Sequence, residues 1–259
     1  MSSMADLYEM IFKRKSFHLF RNVGNDIISE EELDGIRNAY DGFNRLYPDI
    51  RTAIRILPAD RVNFKRDAEY CILIYSEKKE NYLMNAGYIG QQLDLWLVAH
   101  DMGSLWFGIG KPDEQTYDGL DYVIMIAVHK VKDPAQYRKD MFKAKRKELS
   151  EIWSGDGLGI ADITRFAPSA CNTQPWFVEN RDGRLTVFRY RKPGKRGIMP
   201  AASVSYFNRI DIGIYLCILE ICMQKNGIAF ERTLFIDDGG EAEMTKSAEY
   251  KLIMNTEDN

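Results

Sequence analysis

The chain has 259 residues, of which 45% are hydrophobic, and this composition excludes both a disordered polypeptide and a small disulfide scaffold. Its 35 basic and 38 acidic side chains give a formal charge of −3, which argues against a nucleic-acid partner. The four cysteines form no CxxC pair, and the N-terminus has no apolar signal core. We therefore expect a reduced, cytoplasmic protein without a membrane partner, built as one large domain or two closely packed halves.

The first half of the chain is predicted to combine short helices and strands. An amphipathic helix is expected from Asp6 to about Lys15, and the capping box of Ser29 and Glu32 predicts a second helix that runs toward Tyr40. Short apolar segments predict strands, and apolar residues at helical spacing predict a longer helix. The strands cover 53–57, 70–75 and 122–129, and the long helix covers 86–102 and stops before Gly103.

A glycine-rich segment, GDGLG from Gly155, predicts a linker, and the order of elements partly repeats beyond it. A shift of 124 to 128 residues aligns the long helix with 211–226 and the strand at 122 with a strand that begins at Tyr250. We therefore predict an internal duplication, with halves 1–154 and 155–259 packed as one globular unit. The alternative is that any two apolar helices would align this well.

Several catalytic signatures are absent from the sequence. There is no GxSxG elbow, and Gly110-Lys111 lacks the first glycine of a P-loop. The three histidines are too dispersed to hold a metal, so no metal site is expected. Cys171 is a weak candidate nucleophile because no histidine lies near it in sequence.

Two segments are difficult to explain by packing alone. The first, RKSFHLF (14–20), places Arg14 and Ser16 two residues apart after a helix, where both side chains could reach one phosphate. On these residues alone, a solvated helix end is a slightly stronger interpretation. The second, RFAPSACNTQPWFV (165–178), is either an ordinary loop or a binding loop whose uncharged polar groups suit the edge of a planar heterocycle.

The segment APSACNTQPW closely resembles the APS-x-N-x-QPW loop of the FMN-dependent nitroreductase family, and RKSFHLF resembles the R-x-S-x-R/K-x-F phosphate loop of that family. The helix 87–100 with the following GSLWFGIG resembles the family's late helix and turn, and KAKRKELSEI (143–152) resembles its basic C-terminal segment. The resemblance implies an α+β fold with a mixed central sheet flanked by helices, two pseudo-equivalent halves and an FMN cofactor.

The order of the two loops departs from the family, because about 150 residues separate them here. The resemblance therefore implies two fused subunits of a single-chain subgroup. The phosphate loop would lie in the first half and the APS loop in the second, which gives one complete site and one FMN per chain. The other pseudo-site would lack both loops, with Leu57-Pro58-Ala59 as its remnant.

By resemblance, Arg14 and Ser16 would hold the FMN phosphate with help from the basic segment, and the APS loop would line the isoalloxazine. The turn 105–108 would present a backbone N–H to the flavin N5. His18 stands where the family usually has Arg or Lys, and Arg165 is the substitute candidate. The full set of candidate FMN-binding residues is Arg14, Lys15, Ser16, His18, Leu105, Trp106, Phe107, Gly108, Lys145, Arg146, Arg165, Pro168, Ser169, Ala170, Asn172 and Gln174.

The resemblance implies an oxidoreductase that transfers hydride from NAD(P)H through FMN to a nitroaromatic, a quinone or a related small acceptor. No side chain is assigned to catalysis, since the flavin would carry the chemistry. Two alternatives remain: a flavin-binding protein without turnover, and a specialised flavin-destroying or dehalogenating relative. A single chain would complete the site, so further oligomerisation is not required.

Overall fold

The computed structural model describes residues 4–63, 66–190, 197–239 and 242–253. Within these ranges the helices are α1 (Tyr8–Lys13), α2 (Glu30–Gly42), α3 (Tyr82–Ala99), α4 (Ala161–Thr164) and α5 (Ala201–Lys225). The strands are β1 (Thr52–Pro58), β2 (Tyr70–Ser76), β3 (Met102–Phe107), β4 (Thr116–Tyr117), β5 (Leu120–Lys130), β6 (Trp153–Ser154), β7 (Trp176–Arg181), β8 (Arg184–Tyr190), β9 (Ala229–Leu234) and β10 (Met244–Ile253). None of these helices is long and apolar enough to span a membrane.

The strands form two five-stranded sheets. The first has the order β1-β2-β5-β3, with β4 paired to β5, and all its strand pairs are antiparallel. The second has the order β6-β7-β8-β10-β9 and is mixed, because β6 runs parallel to β7 while the other pairs are antiparallel. The predicted α+β class is confirmed, with the strands divided between the two sheets.

The two sheets repeat one connection pattern. In each sheet, a pair of antiparallel strands is followed by a long helix and then by a strand at the edge of the sheet. The final strand lies between this edge strand and the antiparallel pair. The antiparallel pairs are β1–β2 and β7–β8, the helices are α3 and α5, and the final strands are β5 and β10. This is the pattern that the predicted duplication would produce.

The local sequence signals succeed for most elements. The capping box of α2 is present: Ser29 Oγ accepts the Glu32 N–H at 3.2 Å, and the Glu32 carboxylate accepts the Ser29 N–H at 2.9 Å. The predicted strands lie within β1, β2 and β5, but three helix boundaries differ. The first helix ends at Lys13, α3 lies a few residues earlier than predicted, and α5 begins ten residues before 211.

The predicted linker is part of the packed fold. Gly155 has φ +84°, and a Cβ there would lie 3.1 Å from the carbonyl carbon of Asn180 and closer still to its oxygen. A side chain would therefore collide with the end of β7, and only glycine fits. The strand expected at Tyr250 belongs to β10, which begins earlier, at Met244; Met254 lies outside the described residues.

The helices α3 and α5 cross at the centre of the molecule. A Cβ at Gly87 would lie 2.9 Å from the carbonyl carbon of Ile210, and one at Gly213 would lie 2.7 Å from Tyr88 N and closer still to Met84 O. The two backbones are therefore in direct contact. Both helices are apolar around most of their circumference, as expected for buried helices. Each helix contributes to two hydrophobic cores, one against the first sheet and one against the second.

Candidate functional site

A cavity of about 470 Å³ lies beside the crossing of the long helices, a size typical of small-molecule sites. Its walls come from the segment after α1, the end of β3, the 165–178 loop and α5. The structure thus brings together two segments that are about 150 residues apart in sequence. The predicted residues that line it are Arg14, Ser16, His18, Leu105, Trp106, Phe107, Gly108, Pro168, Ser169 and Ala170.

The segment after α1 runs along the outer edge of the first sheet. Arg14 ends the helix, and its N–H donates to Met10 O at 2.9 Å. Ser16 forms a parallel bridge with Ser104 of β3, and the Phe17 N–H donates to Ser104 O at 3.0 Å. This pairing places the Arg-x-Ser motif beside β3. Of the predicted turn 105–108, residues 105–107 belong to this strand and only Gly108 follows it.

A buried carboxylate orients the Arg14 guanidinium. Asp94 of α3 accepts hydrogen bonds from Arg14 Nε and Ser104 Oγ, and from Trp106 Nε1 at 3.2 Å. A terminal guanidinium nitrogen of Arg14 donates to Ser16 Oγ at 3.2 Å. Arg14 and Asp94 are 5% and 0% exposed, so water competes little with this ion pair. No local signal in the sequence marks Asp94, because only tertiary packing brings it to Arg14.

Cations collect next to Arg14. Burial, and then the charges of Arg138, Arg14 and Arg165, lower the pKa of Arg146 to about 10. Burial and Arg14 likewise lower the pKa of Arg138, and burial and Arg138 lower that of Lys15. No carboxylate among the described residues forms an ion pair with Arg138 or Arg146. Such a cluster favours an anion.

The 165–178 loop has an unusual backbone that side chains hold in place. Cys171, Asn172 and Gln174 have φ of +50°, +55° and +48°, a region that costs non-glycine residues free energy and is common at functional sites. The Gln174 N–H donates to Ser169 Oγ at 2.9 Å. The Ala170 N–H donates to Asp211 Oδ1 at 2.9 Å, which ties the loop to α5.

Six predicted residues lie outside the cavity lining. Gln174 is buried within the loop, where Oε1 accepts the Lys147 N–H at 2.9 Å and Nε2 donates to Asn172 O at 3.1 Å. Arg165 Nε lies 3.7 Å from the Asp162 carboxylate. The six residues are Lys15, Lys145, Arg146, Arg165, Asn172 and Gln174.

Several cavity residues were not found from the sequence. Arg66, between β1 and β2, donates to His18 O at 2.9 Å and lies over the Phe107 ring at 5.8 Å. Phe207 of α5 packs against Gly108 so closely that a Cβ at this glycine would lie 2.5 Å from the nearest ring atom. No local sequence signal marks these residues, because each reaches the cavity from a distant element.

Comparisons with known proteins identify the family. Residues 6–223 match the family model described as "Putative TM nitroreductase". The chain belongs to this nitroreductase family. No curated protein matches it in a sequence search.

Among the residues that the structure describes, no three His, Cys, Asp or Glu side chains form a group that could hold a metal ion.

Solved structures of nitroreductase-type proteins are similar in fold. A "putative nitroreductase (tm1586)" from Thermotoga maritima is 18% identical, with 95% of this chain and 93% of that chain covered and a TM-score of 0.58. A "putative nitroreductase in complex with fmn" from Desulfovibrio desulfuricans is 16% identical over 56% of this chain and 93% of that chain, with a TM-score of 0.41. At these identities the Thermotoga structure supports the fold alone, and the second comparison carries no further conclusion.

Proposed function

We propose that this nitroreductase-family chain is an FMN-dependent oxidoreductase that passes hydride from NAD(P)H to a nitroaromatic, a quinone or a related small acceptor. One observation carries the proposal: the Arg-x-Ser segment and the APS loop line the same cavity, although they lie far apart in sequence. Both segments resemble loops of the nitroreductase family, and this resemblance rests on the sequence alone. Their convergence is what a shared ligand requires.

The residues present fit a phosphate at one part of the site. Burial, and then the charge of Arg14, lower the pKa of both Arg138 and Arg146. Arg146 Nε is buried without a hydrogen-bond partner among the described residues. A doubly charged phosphate would supply acceptors to these donors and offset their repulsion. Arg138 would thus join Arg14, Ser16 and Arg146 in holding the phosphate, whereas Lys145 would act through its carbonyl, which accepts from Asn172 Nδ2 at 3.1 Å.

The rest of the cavity fits a flat heterocycle. Its walls combine apolar side chains, including Leu105, Ile210 and Ile214, with the polar backbone of the 168–170 segment. Bound FMN would supply reversible hydride-accepting chemistry at this site. The protein's part is to bind and orient it, to exclude water with the apolar walls, and to provide positive charge. At the position of His18 the family usually has Arg or Lys. Arg66 lines the cavity and Arg165 does not, so we assign Arg66, in place of Arg165, as the residue that supplies this positive charge.

The same proposal includes an internal duplication with one FMN per chain. The repeated strand order and the reciprocal contacts of α3 and α5 support it, because in a twofold-related pair residue i contacts j and j contacts i. Gly87 meets the backbone at Ile210 and Gly213 meets it at Met84, and 126 residues separate both Gly87 from Gly213 and Met84 from Ile210. A cytoplasmic location remains a prediction of the sequence.

Flavin counting and an anaerobic titration test the function. We expect the purified chain to release about one FMN per polypeptide and its bound flavin to lose its yellow colour when NADH or NADPH is added without oxygen. Two FMN per chain, or FAD, would contradict the fused-subunit interpretation. Bound flavin that neither nucleotide reduces would favour the flavin-binding alternative over an enzyme.

Arg14→Ala tests the assignment of the phosphate site. We expect FMN binding to weaken by about 1.5 to 3 kcal/mol, the range for a hydrogen bond to a charged group. The matched control is Arg181→Ala, which removes an arginine that is 78% exposed and outside the cavity lining. Equal FMN affinity in the two variants would show that Arg14 does not bind the phosphate.

A further inference from the structure

Asp211 is a buried carboxyl group on the wall of the cavity, and its hydrogen bonding is incomplete. The residue is 3% exposed and lies on α5. Its Oδ1 accepts the Ala170 N–H at 2.9 Å, whereas its Oδ2 is buried and has no hydrogen-bond partner among the residues that the structure describes. A buried polar atom without a partner costs free energy. A proton on Oδ2, shared with a ligand, would remove this cost.

A contact in the other half of the chain corresponds to the one between Asp211 and the APS loop. Asn85 of α3 lies 126 positions before Asp211, and its Oδ1 accepts the N–H groups of Leu46 and Tyr47 at 3.0 and 3.2 Å. A neutral amide is therefore sufficient to hold a loop against a long helix. The second polar atom of both side chains lacks a partner among the described residues, but Asp211 lines the large cavity while Asn85 lies in the closed interior. Anchoring of the loop therefore does not account for the carboxyl group at 211, which lines the cavity.

The surroundings of Asp211 favour its protonated form. Burial raises the pKa of the Asp211 carboxyl to about 8, and the Ala170 N–H opposes this only in part. Arg14, a cation of the same cavity wall, forms its ion pair with Asp94 and not with Asp211. The other charged or titratable side chains of the cavity wall are His18, Arg66 and Cys171. Those of α3 and α5 on the turns around the helix crossing are Tyr82, Tyr88, Tyr206, Arg209 and Tyr215, and none of these side chains is hydrogen-bonded to Asp211 in the described structure.

We propose that Asp211 binds the flavin as a neutral carboxylic acid, donating a hydrogen bond from Oδ2 to an acceptor atom of the ring system while Oδ1 holds the APS loop. The proposal rests on the proposed FMN function and adds a pH dependence to it. Ionised Asp211 would present an acceptor to an acceptor, so the flavin would be released as the carboxyl loses its proton. The APS loop would remain anchored, because Oδ1 accepts from Ala170 in either state.

The test compares the wild-type protein with Asp211→Asn, which keeps the shape, the acceptor for Ala170 and a neutral donor. FMN affinity is measured by quenching of flavin fluorescence from pH 6 to 9. We expect wild-type affinity to fall about tenfold between pH 7 and 9, as the fraction of neutral Asp211 decreases. The variant should bind within about threefold of wild type at pH 7 and show no such fall, which also controls for titration of FMN itself.

An infrared spectrum of the FMN-free protein provides a second readout. At pH 7 the wild type should show the C=O band of a protonated carboxyl that Asp211→Asn lacks. Identical pH profiles of the two proteins, or no such band, would overturn the role of Asp211 while leaving FMN binding intact. Absence of FMN binding by the wild type at every pH would instead overturn the proposed function and the hydrogen bond with it.

Discussion

Replacement of Gly213 by alanine should disrupt the centre of the fold. The new methyl group would lie 2.7 Å from Tyr88 N and 2.8 Å from the carbonyl carbon of Met84, where ordinary contact begins at 3.4 Å. Both obstacles are backbone atoms of α3, so no change of rotamer can relieve the collision. The two helices must separate, and Ile210, Asp211 and Ile214 on the cavity wall would move with α5.

The magnitude follows from two opposing effects. Overpacking a core costs about 1 to 3 kcal/mol and occasionally more, and a backbone collision belongs at the upper end of that range. Alanine is favoured over glycine in a helix by about 1 kcal/mol. We therefore expect Gly213→Ala to lower the free energy of unfolding by about 2 kcal/mol or more, and Gly87→Ala to do the same.

Urea denaturation monitored by circular dichroism measures the effect. The matched control is Gly35→Ala on α2, where a Cβ would meet only the Trp96 ring at 3.6 Å, so this variant should be as stable as wild type or more stable. The double variant Gly87→Ala/Gly213→Ala should cost less than the sum of the single changes, because one separation of the helices accommodates both methyl groups. A Gly213→Ala protein as stable as Gly35→Ala would refute the direct contact of the two backbones.

Three further changes test the site. Arg146→Met should weaken FMN binding by about 1.5 to 3 kcal/mol in a fluorescence titration. It should leave the free energy of unfolding unchanged or higher, because it removes a cation that is disfavoured by burial and repelled by its neighbours. A loss of stability would argue against that unfavourable environment. Asp94→Asn should destabilise the chain by about 3 kcal/mol on urea denaturation, since it leaves the buried Arg14 without its ion-pair partner, and an unchanged midpoint would contradict this. The raised pKa of Asp211 means that, at this residue, the folded chain holds a proton that the unfolded chain releases. The contribution of Asp211 to the free energy of unfolding is therefore greatest below about pH 4 and decreases up to about pH 8. Between pH 5 and 7 the wild type should lose about 1.4 kcal/mol per pH unit relative to Asp211→Asn.

Short-range sequence signals were sufficient for the elements whose ends they encode. The Ser29–Glu32 pair marks the start of α2, and the apolar segment at 122–129 lies within β5. The first ten residues of α5 were missed because the helix follows Pro200 without a side-chain cap, and polar residues interrupt its apolar spacing until 210. A boundary that tertiary contacts stabilise leaves little trace in the local sequence.

The residues of the candidate site also fall into those that a local sequence motif marks and those that it does not. The Arg-x-Ser and APS segments are short motifs that can be recognised in the sequence, and both line the cavity. Asp94, Arg138 and Asp211 lie on other elements, where a lone charged residue in a sequence has no distinguishing neighbour. Their significance depends on burial and on partners that only the packed fold brings together.

The equivalent region of the other half explains why one flavin per chain is expected. Met84 is the counterpart of Ile210 at the helix crossing, and it lines a cavity of about 190 Å³, below the range of typical ligand sites. The loop held by Asn85 is at 46–47, whereas the proposed remnant Leu57-Pro58-Ala59 lies elsewhere, at the end of β1.

Buried carboxylates on the long helices show the same divergence between the halves. Glu220 lies 126 positions after Asp94, but it accepts from the hydroxyls of Tyr88 and Tyr250 and from Arg232, all at 2.7 Å. It therefore connects α5 to two strands, β9 and β10, and to α3 in the interior. Asp94 holds Arg14 at the wall of the large cavity. A repeated scaffold would thus keep a buried acid in both halves and direct only one of them toward a ligand, which is the physical basis for expecting a single FMN.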